Sequence, residues 1–488
     1  MTIDPRTPVI IGVAQVNRTP PDDLTTAPDP VDLMTDAVRE AAADAGGTGV
    51  ADAIDLIAVV GGLWRYQNPG AMVAADLGID AKGMLTTMGG NMPIHTTHML
   101  GGRIAAGELD VAVLTCGETN ITRQLRKKAG VDAPVRDEVD AEGVERWGPA
   151  LDMGDRTAVE RGGETPRNSY AVLDSAIRSS RGETLDAARD RAASLWAGYA
   201  EVASRNPHAA DPSGASAAEI REPSPANRMV SWPYTKAMCA NNTVDQAAAI
   251  IICAQETADR LGVPVDRRVY PHLCVEAHDT PTFVDREDVA VVPGLDAACA
   301  AVRERVGDIE AIEHIDLYAC FPAIVTLTCA ALGISPQRQL TVAGGLAYAG
   351  APLNFAAGQA LVAMVDTLRA DPGSRGLVQG NGGHATKHAI GVYSTTPPAS
   401  APVVEQLGHI GGRRPVVAAD HAGDAVLRGV TVEFGHDGPI RAVAVAEFAD
   451  GSRTWANSDD PALMDAIVTR ETVGEAVRVD AGIMHLPD

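Results

Sequence analysis

The chain has 488 residues, 45% apolar, 21% charged and only 4% aromatic, long enough for about three domains and apolar enough to bury real cores. Forty basic residues face 64 acidic ones, a net charge of −24. That argues against a binder of nucleic-acid backbones or of anionic membrane surfaces. A small anionic ligand held by a local basic cluster stays open.

No apolar run approaches the roughly 20 residues of a membrane-spanning helix. Met1 to Pro5 lacks the basic and apolar pattern of an export signal. Seven widely spaced cysteines form no CxxC pair. The reading is a reduced, cytoplasmic protein with free thiols. No HExxH, EF-hand, GxGxxG, Walker A or GxSxG pattern occurs, so no metal site is expected.

In chain order, Pro8–Ala14 predicts a buried strand. Asp32–Ala45 predicts a helix, with Leu33, Met34, Ala37, Val38 and Ala41 on one face. Ile54–Val60 predicts a strand, Ala71–Leu77 a helix and Asp110–Cys116 a further strand. This alternation predicts a mostly parallel sheet covered on both faces. From Glu118 to about Pro233 the chain turns polar and helical, with Leu185–Ala203 as one helix. Strand and helix alternation resumes at Asp245–Cys253. Ile315–Phe321 predicts a strand, then come a helix to Leu332, a turn at Gly344-Gly345 and a helix from about Leu353 to Leu368. Strands near Gly376–Gln379 and Ala389–Thr395 close the core.

Thr396-Pro397-Pro398 and the residues to Pro402 read as a linker. Beyond it, Val430–Phe434 and Arg441–Phe448 flank a hairpin turn at Gly435–Gly438, and Pro461–Thr469 reads as a helix. A small β-barrel or sandwich is expected, with an OB-like barrel one option. Its 14 acidic residues and seven arginines, without lysine, argue against nucleic acid. The expected divisions are 1–117, a loop domain at 118–240, the rest of the core at 241–396, a linker at 397–402 and a β domain at 403–488.

Four segments carry chemistry: Gly89-Gly90-Asn91-Met92-Pro93, Leu317-Tyr318-Ala319-Cys320-Phe321-Pro322, Gly344-Gly345 through Gly350-Ala351-Pro352, and Gln379-Gly380-Asn381-Gly382-Gly383-His384. Together with Met229–Tyr234 and Asp245–Ala249, they resemble the thiolase superfamily over roughly residues 6–396, nearest to its sterol-carrier-type branch and type 1 thiolase-like proteins. The resemblance implies a duplicated βαβαβαββ fold around a helical loop domain, with an added C-terminal domain. It also implies an acetyl-CoA acetyltransferase-like role in lipid metabolism, with CoA or acyl-CoA as ligand and no covalent cofactor.

The family's catalytic positions are altered. Met92 stands for the nucleophilic Cys, Ala351 for the polarising His, Tyr318 for the Asn or His of the oxyanion hole, and Gly380 for the second Cys. Cys320 is the remaining conceivable nucleophile, with His384 or His388 beside it. By resemblance, Arg123, Arg126 and Lys127 suit the phosphates of CoA, while Asn242 and Thr243 fall at its tunnel. Two readings follow. One is a binding protein for CoA or acyl-CoA with little or no thiolase activity. The other is an acyltransferase of altered mechanism using Cys320. A C-terminal domain that contacts another protein is compatible with the first. A monomer is favoured over the family's common homodimer.

Overall fold

The computed structural model describes residues 3–133, 136–149, 156–418 and 420–486. The first half runs β1 (Pro8–Asn17), α1 (Pro30–Asp44), β2 (Leu56–Val60), α2 (Pro69–Leu77), β3 (Lys82–Thr86), α3 (Met92–Ala105) and β4 (Val111–Thr119). The polar stretch holds α4 (Asn120–Ala129), β5 (Glu145–Trp147), α5 (Arg156–Arg161), α6 (Pro166–Ser180), α7 (Leu185–Ala203), α8 (Ala217–Arg221) and the short strands β6 (Met229–Ser231) and β7 (Tyr234–Thr235). β8 (Asp245–Ala254) then returns to the first sheet.

The second half follows as α9 (Gln255–Arg260), β9 (Tyr270–His278), α10 (Pro293–Val306), β10 (His314–Asp316), α11 (Pro322–Leu332), α12 (Gly345–Tyr348), α13 (Ala356–Ala370), β11 (Arg375–Gly382) and β12 (Lys387–Ser394). The chain ends with β13 (Val403–His409), β14 (Ala422–Phe434), β15 (Pro439–Phe448), β16 (Arg453–Ser458), α14 (Pro461–Thr469), β17 (Ala476–Asp480) and β18 (Ile483–His485).

Local chemistry explains α1. The Asp29 carboxylate accepts from the amides of Val31 and Asp32, and Asp32 reaches back to the Asp29 amide. This capping box is worth about 1 kcal/mol. The predicted apolar face is buried against β1, β8 and β4. Gly12 makes that contact possible, because a Cβ there would lie 2.1 Å from the Ala41 carbonyl oxygen.

The first sheet has the order β1-β8-β4-β2-β3-β5 and the second β10-β11-β12-β9-β13. Taken from each half's first strand, both run first, last, penultimate, second: β1-β8-β4-β2 and β9-β12-β11-β10. This shared order is the duplication, which residue identity does not reveal. Neither sheet is all parallel, since β8 runs antiparallel to β1 and β4, and β12 to β11 and β9. α3 and α13 lie between the sheets, while α1 and α10 cover outer faces.

Three differences from the sequence reading have physical causes. β3 and β9 were not anticipated; each is short or begins beside a proline. The expected strand at Ile315–Phe321 pairs only over His314–Asp316. Beyond it, Leu317 donates to the Leu340 carbonyl, and Pro322 opens α11. Val403–His409, assigned above to the C-terminal β domain, instead pairs in parallel with β9 at the edge of the core sheet.

β14, β15, β16, β18 and β17 close into a five-stranded barrel. Leu463, Met464 and Ile467 of α14 fill its own core. The barrel is not isolated. Glu433 of β14 pairs with Ser231 of β6, and Trp455, 1% exposed, stacks on Phe283 of the two-sheet core at 5.7 Å.

Candidate functional site

The β11–β12 turn, the start of α11 and the loop-domain helix α6 meet around a cavity of about 500 Å³. Tyr170 on α6 organises it. Its hydroxyl donates to the Gly383 carbonyl at 3.1 Å and accepts from Asn381 Nδ2 at 2.8 Å and from the Ala385 amide at 2.9 Å. Its ring stacks on Phe321 at 4.7 Å. Ala385, next to the lining His384, sits at φ 53° and Leu353, which lines the cavity, at φ 44°. Each is left-handed backbone in a residue with a Cβ, which costs about 1 kcal/mol or more and clusters at functional sites.

Cys320 lines this cavity, with Asn381 Nδ2 3.7 Å from its sulfur. Burial pushes its thiol up to about 12, so it is protonated at neutral pH. His384 also lines the cavity, but its Nδ1 lies 2.7 Å from Ser169 Oγ, and burial followed by the nearby Arg286 holds it down to about 4. Arg286 in turn donates to the carbonyls of His384 and Ala385, which fixes the turn. His388 does not join the group. It is fully buried behind the turn, 2.9 Å from Asp279, whose other oxygen receives the Gly294 amide at the start of α10. His388 therefore braces α10, and the structure brings Cys320 and His384 to one cavity without it.

The altered family positions also meet here. Tyr318 and Ala351 line the cavity. Met92 opens α3 and is buried outside the lining, its sulfur 3.9 Å from Thr87 Oγ1 and 4.0 Å from Asn91 Nδ2. Gly380 packs on the residues before α3. A Cβ at Gly380 would sit 2.8 Å from the Gly90 carbonyl and 2.9 Å from Asn91 Cα. A Cβ at Gly90 would sit 2.3 Å from the Tyr318 hydroxyl. The three strand and helix ends are thus pressed together where side chains would otherwise project.

The predicted ligand contacts divide. Asn242 lines the main cavity, and Thr243 lines an adjoining one of about 760 Å³ that shares Lys236, Cys239, Ala240 and Asn242 with it. Arg123, Arg126 and Lys127 line a different pocket, beside Trp64, Tyr66 and Glu118. Arg126 is already engaged, donating to the carbonyls of Leu24 and Ala27.

Sequence reading missed Tyr170, Arg167 and Lys236. Nothing in the pattern around Thr165-Pro166-Arg167 marks it. Arg167 lines the cavity and is held from the C-terminal barrel, where Glu433 accepts from it at 2.6 Å and from Arg441 at 2.8 Å. Among the described residues, none that lines this cavity is Asp or Glu.

With this geometry in view, no family model and no curated protein matches the chain. Among solved structures it is similar to a monomeric SCP2-thiolase like protein type 1 (STLP1) from Mycobacterium smegmatis, 26% identical over 100% of both chains, with a TM-score of 0.82. The chain belongs to the thiolase superfamily. This thiolase-like chain also shares the fold of an acetyl-CoA acetyltransferase from Syntrophomonas wolfei (15% identity, 81% of this chain and 100% of that one, TM-score 0.56). It shares it too with the dimeric peroxisomal thiolase of Saccharomyces cerevisiae (14%, 80% and 98%, TM-score 0.56). These two leave about a fifth of the chain unmatched; the mycobacterial protein matches all of it. Among the described residues no helix is long and apolar enough to cross a membrane.

Proposed function

We propose that this thiolase-like protein binds CoA or an acyl-CoA in the cavity between Gly90 and His384 and carries out little or no thiolase chemistry. The observation that carries the reading is the lining. In a chain of net charge −24, the described residues that line the cavity include Arg167 and Lys236 and no carboxylate. Such a wall suits a ligand that bears phosphates on an otherwise apolar body. The adjoining cavity at Asn242 and Thr243 offers room for its outer part.

Loss of turnover follows from the altered positions in and behind this cavity. A thioether at Met92 is no acyl acceptor, and Ala351 neither donates a hydrogen bond nor carries a proton. Gly380 has no space for a second thiol. The competing reading, acyl transfer by Cys320 with His384 or His388, asks a protonated thiol to attack without a base in contact. His384 is turned to Ser169 and His388 to Asp279. Cys320→Ala separates the two. Under binding alone, any residual acyl-transfer rate is unchanged; a collapse of that rate supports the transferase instead.

The same proposal includes a monomer in the cytoplasm. β5 pairs along the outer edge of β3, and its Glu145 and Arg146 are exposed, a pattern that discourages further strand pairing. All seven cysteines are unpaired, which suits a reducing compartment. Light scattering near 50.7 kDa is expected; a mass near twice that refutes the monomer.

A further inference from the structure

A second cavity, of about 570 Å³, adjoins the first at Asn354 and Gly383. Among the described residues Lys387 is the one charged side chain in its wall. Lys387 opens β12 and is 9% exposed. Its ammonium donates to the Met88 carbonyl at 2.9 Å, and no carboxylate of a described residue lies within ion-pair distance. An ammonium has three donors, so two are left without a partner among the described residues.

A buried cation with no counter-charge is costly, and proteins ordinarily pair such groups. Burial lowers the basicity of Lys387 accordingly. The rest of the wall carries the apolar Trp64, Leu85 and Met88, with hydroxyls from Tyr66, Thr86 and Thr87. The space is therefore shaped for a small body with one negative end.

We propose that this cavity is a binding site for a carboxylate, with Lys387 as the cation that receives it. The carboxylate comes from one of two sources: a free short-chain acid, or the distal end of a dicarboxylic acyl thioester reaching across from the main cavity. The site does not depend on the CoA reading, because the free-acid source needs no CoA.

The test is thermal unfolding of the whole protein with propionate, succinate, succinyl-CoA, acetyl-CoA or inorganic phosphate, in wild type, Lys387→Arg and Lys387→Met. A Tm rise with propionate and succinate assigns the free-acid source. A rise with succinyl-CoA well beyond that with acetyl-CoA assigns the thioester source. In either case Lys387→Arg keeps the shift and Lys387→Met loses it. Lys387 acetylation by N-succinimidyl acetate, read by peptide mass spectrometry, should slow at least tenfold with propionate or succinate while the four other lysines react unchanged, and with succinyl-CoA while Lys82 reacts unchanged. Equal Tm shifts in wild type and Lys387→Met, no shift with any carboxylate, or a shift with phosphate alone overturns the proposal. Failure of CoA binding with a retained propionate shift would refute the main reading and leave this one standing.

Discussion

At Gly380 the backbone itself decides what chemistry is possible. The nearest atoms are the Gly90 carbonyl and Asn91 Cα, both backbone, and neither is free to rotate away. Gly380→Cys, which installs a thiol at the family's second cysteine position, should cost about 2–3 kcal/mol in urea denaturation and restore no activity. Gained thiolysis would contradict the steric account. Glu118 poses a different residue-scale question. Burial outweighs the Leu63 amide and nearby Arg123 and lifts its carboxyl from 4.5 to about 7. A carboxyl raised in the folded state favours the protonated form, so native stability falls as pH rises from about 4.5 to 7 and then levels. Glu118→Gln should therefore match wild type near pH 4 and exceed it by up to about 3 kcal/mol at pH 8. Urea titrations at both pH values check the sign; an advantage that shrinks with pH rules this out.

Among elements, the β11–β12 turn depends on α6. Tyr170→Phe leaves Asn381 and the amide of Ala385 without their acceptor and Gly383 without its donor. Each unmet buried group costs about 1–3 kcal/mol, and hydrogen exchange should speed at Ala385 and Thr386 before the rest of β12. Unchanged protection there would place the clamp elsewhere. The elements themselves were legible where periodicity is strong. Leu185–Ala203 and Pro461–Thr469 are helices over the residues expected, and the hairpin at Gly435–Gly438 closes as expected. Strand pairing was not legible, because β13 carries no mark that sends it to β9 rather than into the barrel. The site was legible in part for the same reason. Motif residues Tyr318, Cys320, Ala351 and His384 converge, whereas Tyr170 and Arg167 reach the cavity from a helix far away in sequence. His388 looks equivalent to His384 in sequence but, four residues further on and along β12, sits behind the turn.

Across the whole molecule the barrel is part of the site's support. Glu433 holds Arg167 at the cavity, Trp455 covers Phe283, and Arg453 donates to the carbonyls of Arg286 and Glu287, next to the residues that fix the turn. Glu433→Gln should leave the fold intact and weaken CoA binding several-fold, since Arg167 loses its charged anchor; an unchanged affinity would detach the barrel from ligand recognition. Trp455→Ala removes a large buried side chain and should cost about 3–5 kcal/mol.

The most direct measurement of the central claim is a calorimetric titration of CoA and acetyl-CoA, followed by acetoacetyl-CoA thiolysis on the same preparation. The account predicts saturable binding with no turnover above background. Turnover that disappears in Cys320→Ala would contradict it and establish a transferase, and absence of any binding would remove the CoA reading altogether.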